Sequence, residues 1–168
     1  AFAEHEGTVW IGTYGGGLNA FDTVSGEFRV FKHDPDDTGS LPDDRVMSLL
    51  VDRAGTLWVG TMVGGLNRFD HASGIFTQYK HDPDSADSLS ANGITVIYED
   101  SQERLWVGTY RGGLNRMDRT SGHFFRYGHL PSDPAGLGSD RVMAVQEDAD
   151  GILWVGTDGG GPNRYVEA

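Results

Sequence analysis

Cysteine is absent from this chain of 168 residues, and lysine occurs only at Lys32 and Lys80. Without cysteine the chain can form neither a disulfide framework nor a thiolate metal site. The formal net charge is −12, so the sequence lacks the basic surface that binds nucleic acids or anionic membranes. No run of about 18 apolar residues is present, and no membrane-spanning helix is predicted.

Two further patterns are missing. The first residues have no basic-then-apolar targeting pattern and begin with Ala1 rather than Met, so we expect a processed or excised piece. No stretch shows the 3.6-residue spacing that is typical of an amphipathic helix. What remains is an acidic chain with 25 glycines, which favours a fold with many turns.

Tryptophan recurs at a fixed interval. The four tryptophans, Trp10, Trp58, Trp106 and Trp154, are 48 residues apart, and the last three stand in the string Leu-Trp-Val-Gly-Thr. A constant period of this length, with β-branched residues and turn glycines inside it, indicates a repeat architecture. The chain is 3.5 periods long. We therefore expect repeated units, one of them incomplete.

The second repeat predicts four short strands. Residues 45–51 are mostly apolar on both faces, which is typical of a strand buried on both sides. Residues 56–79 contain three more strands of increasing polarity, separated by turn residues. Phe76 and Tyr79 are three residues apart and do not fit a simple alternation, so we expect a bulge near them.

Four antiparallel strands per repeat, graded from buried to polar, predict an all-β chain of β-propeller blades. The first strand of each blade should line the axis and the fourth should lie on the rim. A single propeller segment of about 3.5 to 4 blades is expected, at residues 1–33, 45–81, 93–129 and 141–168, the last without its outer strand. A β-solenoid is the alternative architecture, although its repeats are usually shorter.

Other strings recur with the tryptophan string. Gly-Gly-Leu-Asn-Arg follows it closely, and His-Asp-Pro and Ser-Leu elements lie downstream, as at residues 81–83 and 88–89. Together these strings resemble the two-component regulator propeller repeat. The resemblance implies a sensor β-propeller of a bacterial hybrid two-component regulator, located in the periplasm or outside the cell. Ala20, Met117 and Pro162 depart from the repeated pattern.

The strongest variation between copies follows each Gly-Thr pair, whereas the flanking positions barely change. Turns on a rigid scaffold often carry binding residues, so this contrast predicts a ligand-binding rim. Drift of exposed turns is the alternative explanation. The candidate ligand-binding residues are Tyr14, Met62, Val63, Tyr110, Arg111 and Asp158.

Identical residues at equivalent positions are assigned to the framework instead. The tryptophans should wedge between neighbouring blades, and four equivalent asparagines should repeat one structural hydrogen bond: Asn19, Asn67, Asn115 and Asn163. His33, His81 and His129 are too spread out around the rim to share one metal ion, and we expect them to anchor loops. No metal and no cofactor are expected.

Three functions stay open at this point. The leading hypothesis is a non-catalytic segment of an extracytoplasmic sensor that binds a small ligand, with a carbohydrate as the expected class. A fragment of a propeller-type lyase or glycosidase is the second, although the sequence shows no convincing acid–base pair. A structural or assembly propeller without a ligand is the third. The expected protein partners are the remaining blades of a larger propeller or a second copy of the chain, which would make it an oligomer.

Overall fold

The computed structural model describes residues 1–132 and 136–166. Within these residues the regular structure is entirely β-strand, arranged in four antiparallel sheets. We number the sheets as blades 1 to 4 in chain order. The all-β propeller fold expected from the repeats is confirmed, and residues 167–168 of the predicted fourth blade lie outside the described range.

In every blade the strands follow one another along the chain, and each pairs with its neighbours in sequence. Blade 1 contains β1 (Phe2–His5), β2 (Thr8–Gly12), β3 (Leu18–Asp22) and β4 (Phe28–Phe31). Blade 2 contains β5 (Val46–Val51), β6 (Leu57–Thr61), β7 (Leu66–Phe69) and β8 (Phe76–Tyr79). Blade 3 contains β9 (Ile94–Glu99), β10 (Leu105–Thr109), β11 (Leu114–Met117) and β12 (Phe124–Tyr127). Blade 4 contains β13 (Val142–Glu147), β14 (Leu153–Thr157) and β15 (Gly161–Arg164).

The first strands of the blades lie side by side. β1 contacts β5, β5 contacts β9, and β9 contacts β13. No comparable contact joins β13 back to β1 in the part of the chain that the structure describes. The four blades therefore form an open arc.

Each junction between consecutive blades has an apolar core. At the first junction, Trp10 and Leu18 of blade 1 pack with Leu57, Val59 and Phe69 of blade 2. Equivalent residues form the next two junctions, around Trp58 and Trp106. The tryptophan of one blade is thus buried by the blade that follows it.

An aspartate in the turn between the first and second strands holds each of the last three tryptophans. Asp100 Oδ1 accepts two backbone hydrogen bonds within its turn, and its Oδ2 accepts the indole N–H of Trp106 at 2.7 Å. The equivalent indole bonds are Trp58 to Asp52 at 2.8 Å and Trp154 to Asp148 at 2.7 Å. Sequence reasoning missed this pair, although the six-residue spacing from Asp to Trp recurs three times.

Blade 1 lacks this link. A two-residue turn, Glu6–Gly7, joins β1 to β2, and both residues have positive φ, 47° and 77°. Trp10 Nε1 is buried and has no hydrogen-bond partner among the described residues. A buried donor without an acceptor costs about 1–3 kcal/mol, so blade 1 holds its tryptophan less firmly than the other blades.

The predicted bulge near Phe76 and Tyr79 is wrong. β7 and β8 pair in regular register, and the two rings lie on opposite faces of blade 2. Phe76 packs at the junction with blade 1, and Tyr79 packs at the junction with blade 3. Residues three apart in a strand point to opposite faces, so a blade that is buried on both sides needs no bulge there.

Bulges occur instead at the start of the first strands. Val46 and Ser48 pair with adjacent residues of β6, which leaves Met47 without a cross-strand partner. Met143 is left out in the same way in blade 4. Both methionines are exposed, so the prediction of strands buried on both sides holds only for part of each strand.

Candidate functional site

The candidate residues lie in the turns between the second and third strands. In blade 2, the N–H and Oγ1 of Thr61 both donate to Gly65 O at 3.2 Å, and Gly64 N donates to Thr61 Oγ1 at 2.9 Å. The turn is closed by these framework residues, and Met62 and Val63 project at its end. We call the projecting pairs the tips: Tyr14–Gly15, Met62–Val63, Tyr110–Arg111 and Asp158–Gly159.

Glycine is required at the ends of the tips in blades 2 and 3 for two reasons. Gly65 and Gly113 have φ values of +78° and +77°, a region that other residues rarely adopt. A Cβ on either one would also collide with a backbone carbonyl oxygen of the fourth strand, at Tyr79 or Tyr127. The shape of the tip is thus independent of the tip residues, which can vary without changing the fold.

The residues just before each first strand meet the tips, which sequence reasoning missed. Arg45 O accepts the backbone N–H of Met62 at 3.0 Å, and Arg141 O accepts that of Asp158 at 2.8 Å. Arg45 also forms a β-bridge with Tyr14 of the preceding blade. A repeated Asp-Arg-Val-Met string at residues 44–47 and 140–143 was the available signal, and it was interpreted only as the start of a strand.

Polar contacts connect the tips of blades 1 and 2. Tyr14 Oη lies 3.3 Å from Met62 Sδ. Arg45 Nε donates to Asp43 Oδ1 at 2.9 Å, and Asp43 Oδ2 accepts the backbone N–H of Val63 at 2.9 Å. The buried Asp43 thus fixes both the Arg45 side chain and the second tip.

A second group connects the tips of blades 3 and 4. The guanidinium carbons of Arg111 and Arg141 each lie 5.6 Å from the centre of the Tyr110 ring. Arg141 Nη1 also binds Asp158 Oδ2 at 2.9 Å. The fold therefore brings three candidate residues, Tyr110, Arg111 and Asp158, into one cluster with Arg141.

The two groups are separated by Gly93, which precedes β9. A Cβ placed on Gly93 would lie 3.1 Å from Met62 O and 3.6 Å from Tyr110 Cβ. Gly93 therefore lies close to both the second and the third tips, and it places no side chain between them. The tips form one continuous end of the arc.

The charges at this end are stabilised in their ionised forms. Burial alone would raise the pKa of Asp43, but hydrogen bonds from Arg45 and from the backbone of Val63 and Arg45 lower it below its ordinary value. The hydrogen bond to Asp158 raises the pKa of Arg141. No ion pair joins Arg111 to a carboxylate among the described residues, and its side chain is exposed, whereas Arg45 and Arg141 are paired.

Two clefts lie away from the tips. One, with a volume of about 560 Å³, runs beside the outer edge of β15 and is lined by Tyr127, Leu137 and Tyr165 among others. β15 has no strand partner on that side in the described residues. The other cleft lies at the hairpin of blade 2, around His71 and Gly55. Neither cleft is lined by a tip residue.

The asparagines assigned to the framework bind back to the second strand. Asn67 Nδ2 donates to Val59 O and Gly65 O, both at 3.1 Å. The same bond to the second strand recurs at the equivalent residues, Asn19 to Ile11 O, Asn115 to Val107 O and Asn163 to Val155 O. These amides lie behind the tips and take part in closing each turn.

The three histidines bind within their own loops. Nδ1 of His33, His81 and His129 lies 3.1, 2.8 and 2.6 Å from the carbonyl oxygens of Leu41, Leu89 and Leu137. In residues 1–132 and 136–166, no group of three or more His, Cys, Asp or Glu side chains could hold a metal ion. Those same residues contain no helix that is long and apolar enough to span a bilayer.

A family model described as two component regulator propeller matches residues 40–62, 88–111 and 136–159. Each match runs through the first two strands of a blade and ends at its tip. These three segments therefore match two component regulator propeller repeats, and the resemblance is confirmed. No curated protein matches the chain.

Solved structures with the same fold include extracellular domains of hybrid two-component systems. The extracellular domain of a hybrid two-component system from B. thetaiotaomicron is 25% identical, with a TM-score of 0.82, over 99% of this chain and 24% of that chain. A second such domain from B. thetaiotaomicron is 24% identical, with a TM-score of 0.58, over 96% of this chain and 27% of that chain. This chain thus spans about a quarter of the length of those domains.

An enzyme also shares the fold. An inactive virginiamycin B lyase from Staphylococcus aureus, solved with quinupristin, is 16% identical, with a TM-score of 0.63, over 99% of this chain and 54% of that chain. At this identity the likeness concerns the fold alone. The same is true of the second extracellular domain.

Proposed function

We propose that this chain, three segments of which match the two component regulator propeller model, is a non-catalytic, ligand-sensing segment of an extracytoplasmic sensor propeller. The ligand is a carbohydrate, and the tips bind it. The first matched domain is extracellular, which supports the proposed location.

The observation that carries this proposal is the exposure of aromatic and charged side chains on one end of a rigid arc. Tyr14 and Tyr110 are both exposed, while the framework that holds them is closed by threonine, glycine and asparagine. Tyrosine rings stack on the apolar faces of sugars, and neighbouring charges supply directional contacts.

Arg111 makes the proposal more specific. Arg45 and Arg141 are paired with Asp43 and Asp158, whereas Arg111 lies over the Tyr110 ring. A guanidinium can bind a carboxylate through two parallel hydrogen bonds. We therefore expect an oligosaccharide with a carboxylate to bind more tightly than its neutral counterpart, and this preference should weaken as salt is added.

The test is a calorimetric titration with matched neutral and uronic-acid oligosaccharides. Tyr110→Ala should weaken binding of both by about tenfold or more, because it removes the stacking surface. Arg111→Ala should weaken the acidic sugar selectively. Binding of either sugar that neither substitution changes would contradict a role for the tips.

Matched controls come from exposed positions outside the tips. Phe125 is an exposed aromatic on the outer strand of blade 3, and Arg29 is an exposed arginine on the outer strand of blade 1. Phe125→Ala and Arg29→Ala should leave binding unchanged. A loss of affinity in these variants would assign the site to the sides of the blades.

The structural alternative is favoured by one observation, that neither cleft is lined by a tip residue. If the chain is a scaffold without a ligand, no sugar in the panel will bind. The enzymatic alternative has less support. Asp43, Asp52 and Asp100 are buried carboxylates with lowered pKa values, whereas a general acid needs a raised one.

A further inference from the structure

The loop that leads into the first strand differs between blade 2 and blade 3. In blade 2 this loop contains Asp43 and Arg45, whereas the equivalent residues of blade 3, 48 positions later, are Ala91 and Gly93. Blade 3 therefore lacks both the carboxylate and the guanidinium that lie beside the tip of blade 2. Both loops are internal to the arc, with a described blade on either side.

The Asp43 carboxylate accepts three hydrogen bonds beside the tip of blade 2. Its Oδ1 accepts the backbone N–H of Arg45 at 3.2 Å and the Nε–H of Arg45 at 2.9 Å. Its Oδ2 accepts the backbone N–H of Val63 at 2.9 Å. Since Asp43 is only 7% exposed, blade 2 fills this position with an anion of its own.

Blade 3 keeps the same backbone but has no acceptor at this position. Tyr110 N donates to Gly93 O at 2.9 Å, and the equivalent bond in blade 2 is 3.0 Å long. The bond from the tip glycine to the threonine hydroxyl is 2.9 Å in both blades. The N–H groups of Gly93 and Arg111 therefore correspond to the two backbone donors that bind Asp43. Neither N–H group has a hydrogen-bond acceptor among the described residues.

Blade 4 resembles blade 2 more than blade 3 here. Ser139 occupies the position of Asp43, and its Oγ accepts the backbone N–H of Arg141 at 3.2 Å. The Arg141 side chain also connects the third and fourth tips, because it lies over Tyr110 and binds Asp158. Gly93 has no side chain that could connect the second and third tips in this way.

The residues around the unfilled position suit an acidic sugar. Arg111 is exposed, and its guanidinium lies over the Tyr110 ring rather than against a carboxylate. Two backbone N–H groups beside a guanidinium repeat the set of donors that holds Asp43. On the other side of the gap, Met62 and Val63 are exposed and offer apolar surface to a sugar ring.

We propose that the carboxylate of the bound sugar takes the place in blade 3 that the Asp43 carboxylate takes in blade 2. Its oxygens accept hydrogen bonds from the backbone N–H groups of Gly93 and Arg111, and the Arg111 guanidinium balances its charge. This inference rests on the proposed function, because it names the position at which the tips recognise an acid. Ala91 and Gly93 then set the preference for an acidic sugar, since they leave this position empty.

The test fills the position with a carboxylate of the protein. Ala91→Asp gives blade 3 the side chain that blade 2 already has. The uronic-acid oligosaccharide should then bind at least about tenfold more weakly, whereas the matched neutral oligosaccharide should change much less. The melting temperature without sugar should rise by about 2–4 °C, because the two backbone N–H groups gain an acceptor.

Ala72→Asp is the matched control. Ala72 is exposed in the hairpin between the third and fourth strands of blade 2, away from the tips, and its substitution adds the same charge. It should leave the binding of both sugars unchanged and should not raise the melting temperature. Equal effects of the two substitutions would assign the loss of binding to net charge and overturn the proposal.

Amide NMR spectra locate the bound carboxylate. Titration with the uronic-acid oligosaccharide should shift the amide protons of Gly93 and Arg111 downfield, and the neutral oligosaccharide should not. If the acidic sugar binds and Arg111→Ala weakens it, but Ala91→Asp has no effect and the Gly93 amide does not move, this inference is wrong and the proposed function stands. If neither sugar binds to the parent chain, both are wrong.

Discussion

Trp106 and Trp154 occupy the same string, Leu-Trp-Val-Gly-Thr, and each donates its indole N–H to an aspartate six residues earlier. They differ in what covers them. Blade 4 covers Trp106, whereas no blade covers Trp154 in the described residues, and 41% of it is exposed. Local sequence thus sets the conformation of the tryptophan, but the neighbouring blade supplies the burial that stabilises it.

Removing each ring should give the largest contrast. Trp106→Ala should lower the free energy of unfolding by about 3–5 kcal/mol, because it leaves a cavity in a junction core. Trp154→Ala should cost about 1 kcal/mol, because no blade covers that ring in the described residues. Urea unfolding of the two variants measures the difference. Equal losses would mean that the two faces are equally covered.

The glycines at the ends of the tips allow a second comparison, between a backbone position that the fourth strand crowds and one that it does not. Gly65→Ala should cost about 3 kcal/mol or more, since the new Cβ meets both a positive φ and the carbonyl oxygen of Tyr79. Gly161 also has a positive φ but no atom within 4 Å of the added Cβ, so Gly161→Ala should cost only about 1 kcal/mol. Thermal unfolding of the two variants decides whether the fourth strand causes the difference.

Replacing the aspartates that accept the indole hydrogen bonds should show the same difference in stability between the buried and the exposed tryptophan. Asp100→Ala removes the acceptor of Trp106 and the partner of Arg104, and should cost about 3 kcal/mol. Asp148→Ala removes the acceptor of the exposed Trp154, where water can replace it, and should cost clearly less. Chemical denaturation of the two variants provides the measurement, with Asp150→Ala, in the same turn as Asp148, as the control.

The smallest effect concerns pH at the junction of blades 1 and 2. Burial lowers the pKa of His71, whose ring lies 5.5 Å from Trp10. A lowered histidine pKa means that the unfolded chain binds protons first, so stability should fall slightly as pH drops below about 6.5. His71→Gln should remove this step, and a step that remains would assign it to another group.

A second loss of folding stability should follow at lower pH. Burial opposes ionisation of Asp52, but hydrogen bonds from Trp58 and Arg119 lower its pKa below 3.8. The stabilisation from a depressed carboxyl pKa is complete above the unfolded value and is lost as pH falls through the folded one. Unfolding midpoints should therefore drop again below about pH 4, and Asp52→Asn should reduce that drop.

Much of the fold could be predicted because the sequence repeats itself. The tryptophan period, the turn glycines and the order of strands all depend on local pattern, and copies of one pattern fold alike. The bulge expected near Phe76 and Tyr79 failed because it assumed that only one face of the strand is buried. The role of Arg45 and Arg141 at the tips was missed because their contacts come from turns 17 residues away or from another blade.

The sequence by itself determined the blade: its strands, its turns, and the aspartate that binds each of the last three tryptophans, all of which involve residues close in the chain. Tertiary structure decided which faces are covered and which side chains meet at the tips. These depend on contacts between blades about 48 residues apart, and no local pattern specifies whether a neighbour is present. The same string therefore yields a fully buried Trp106 and a half-open Trp154.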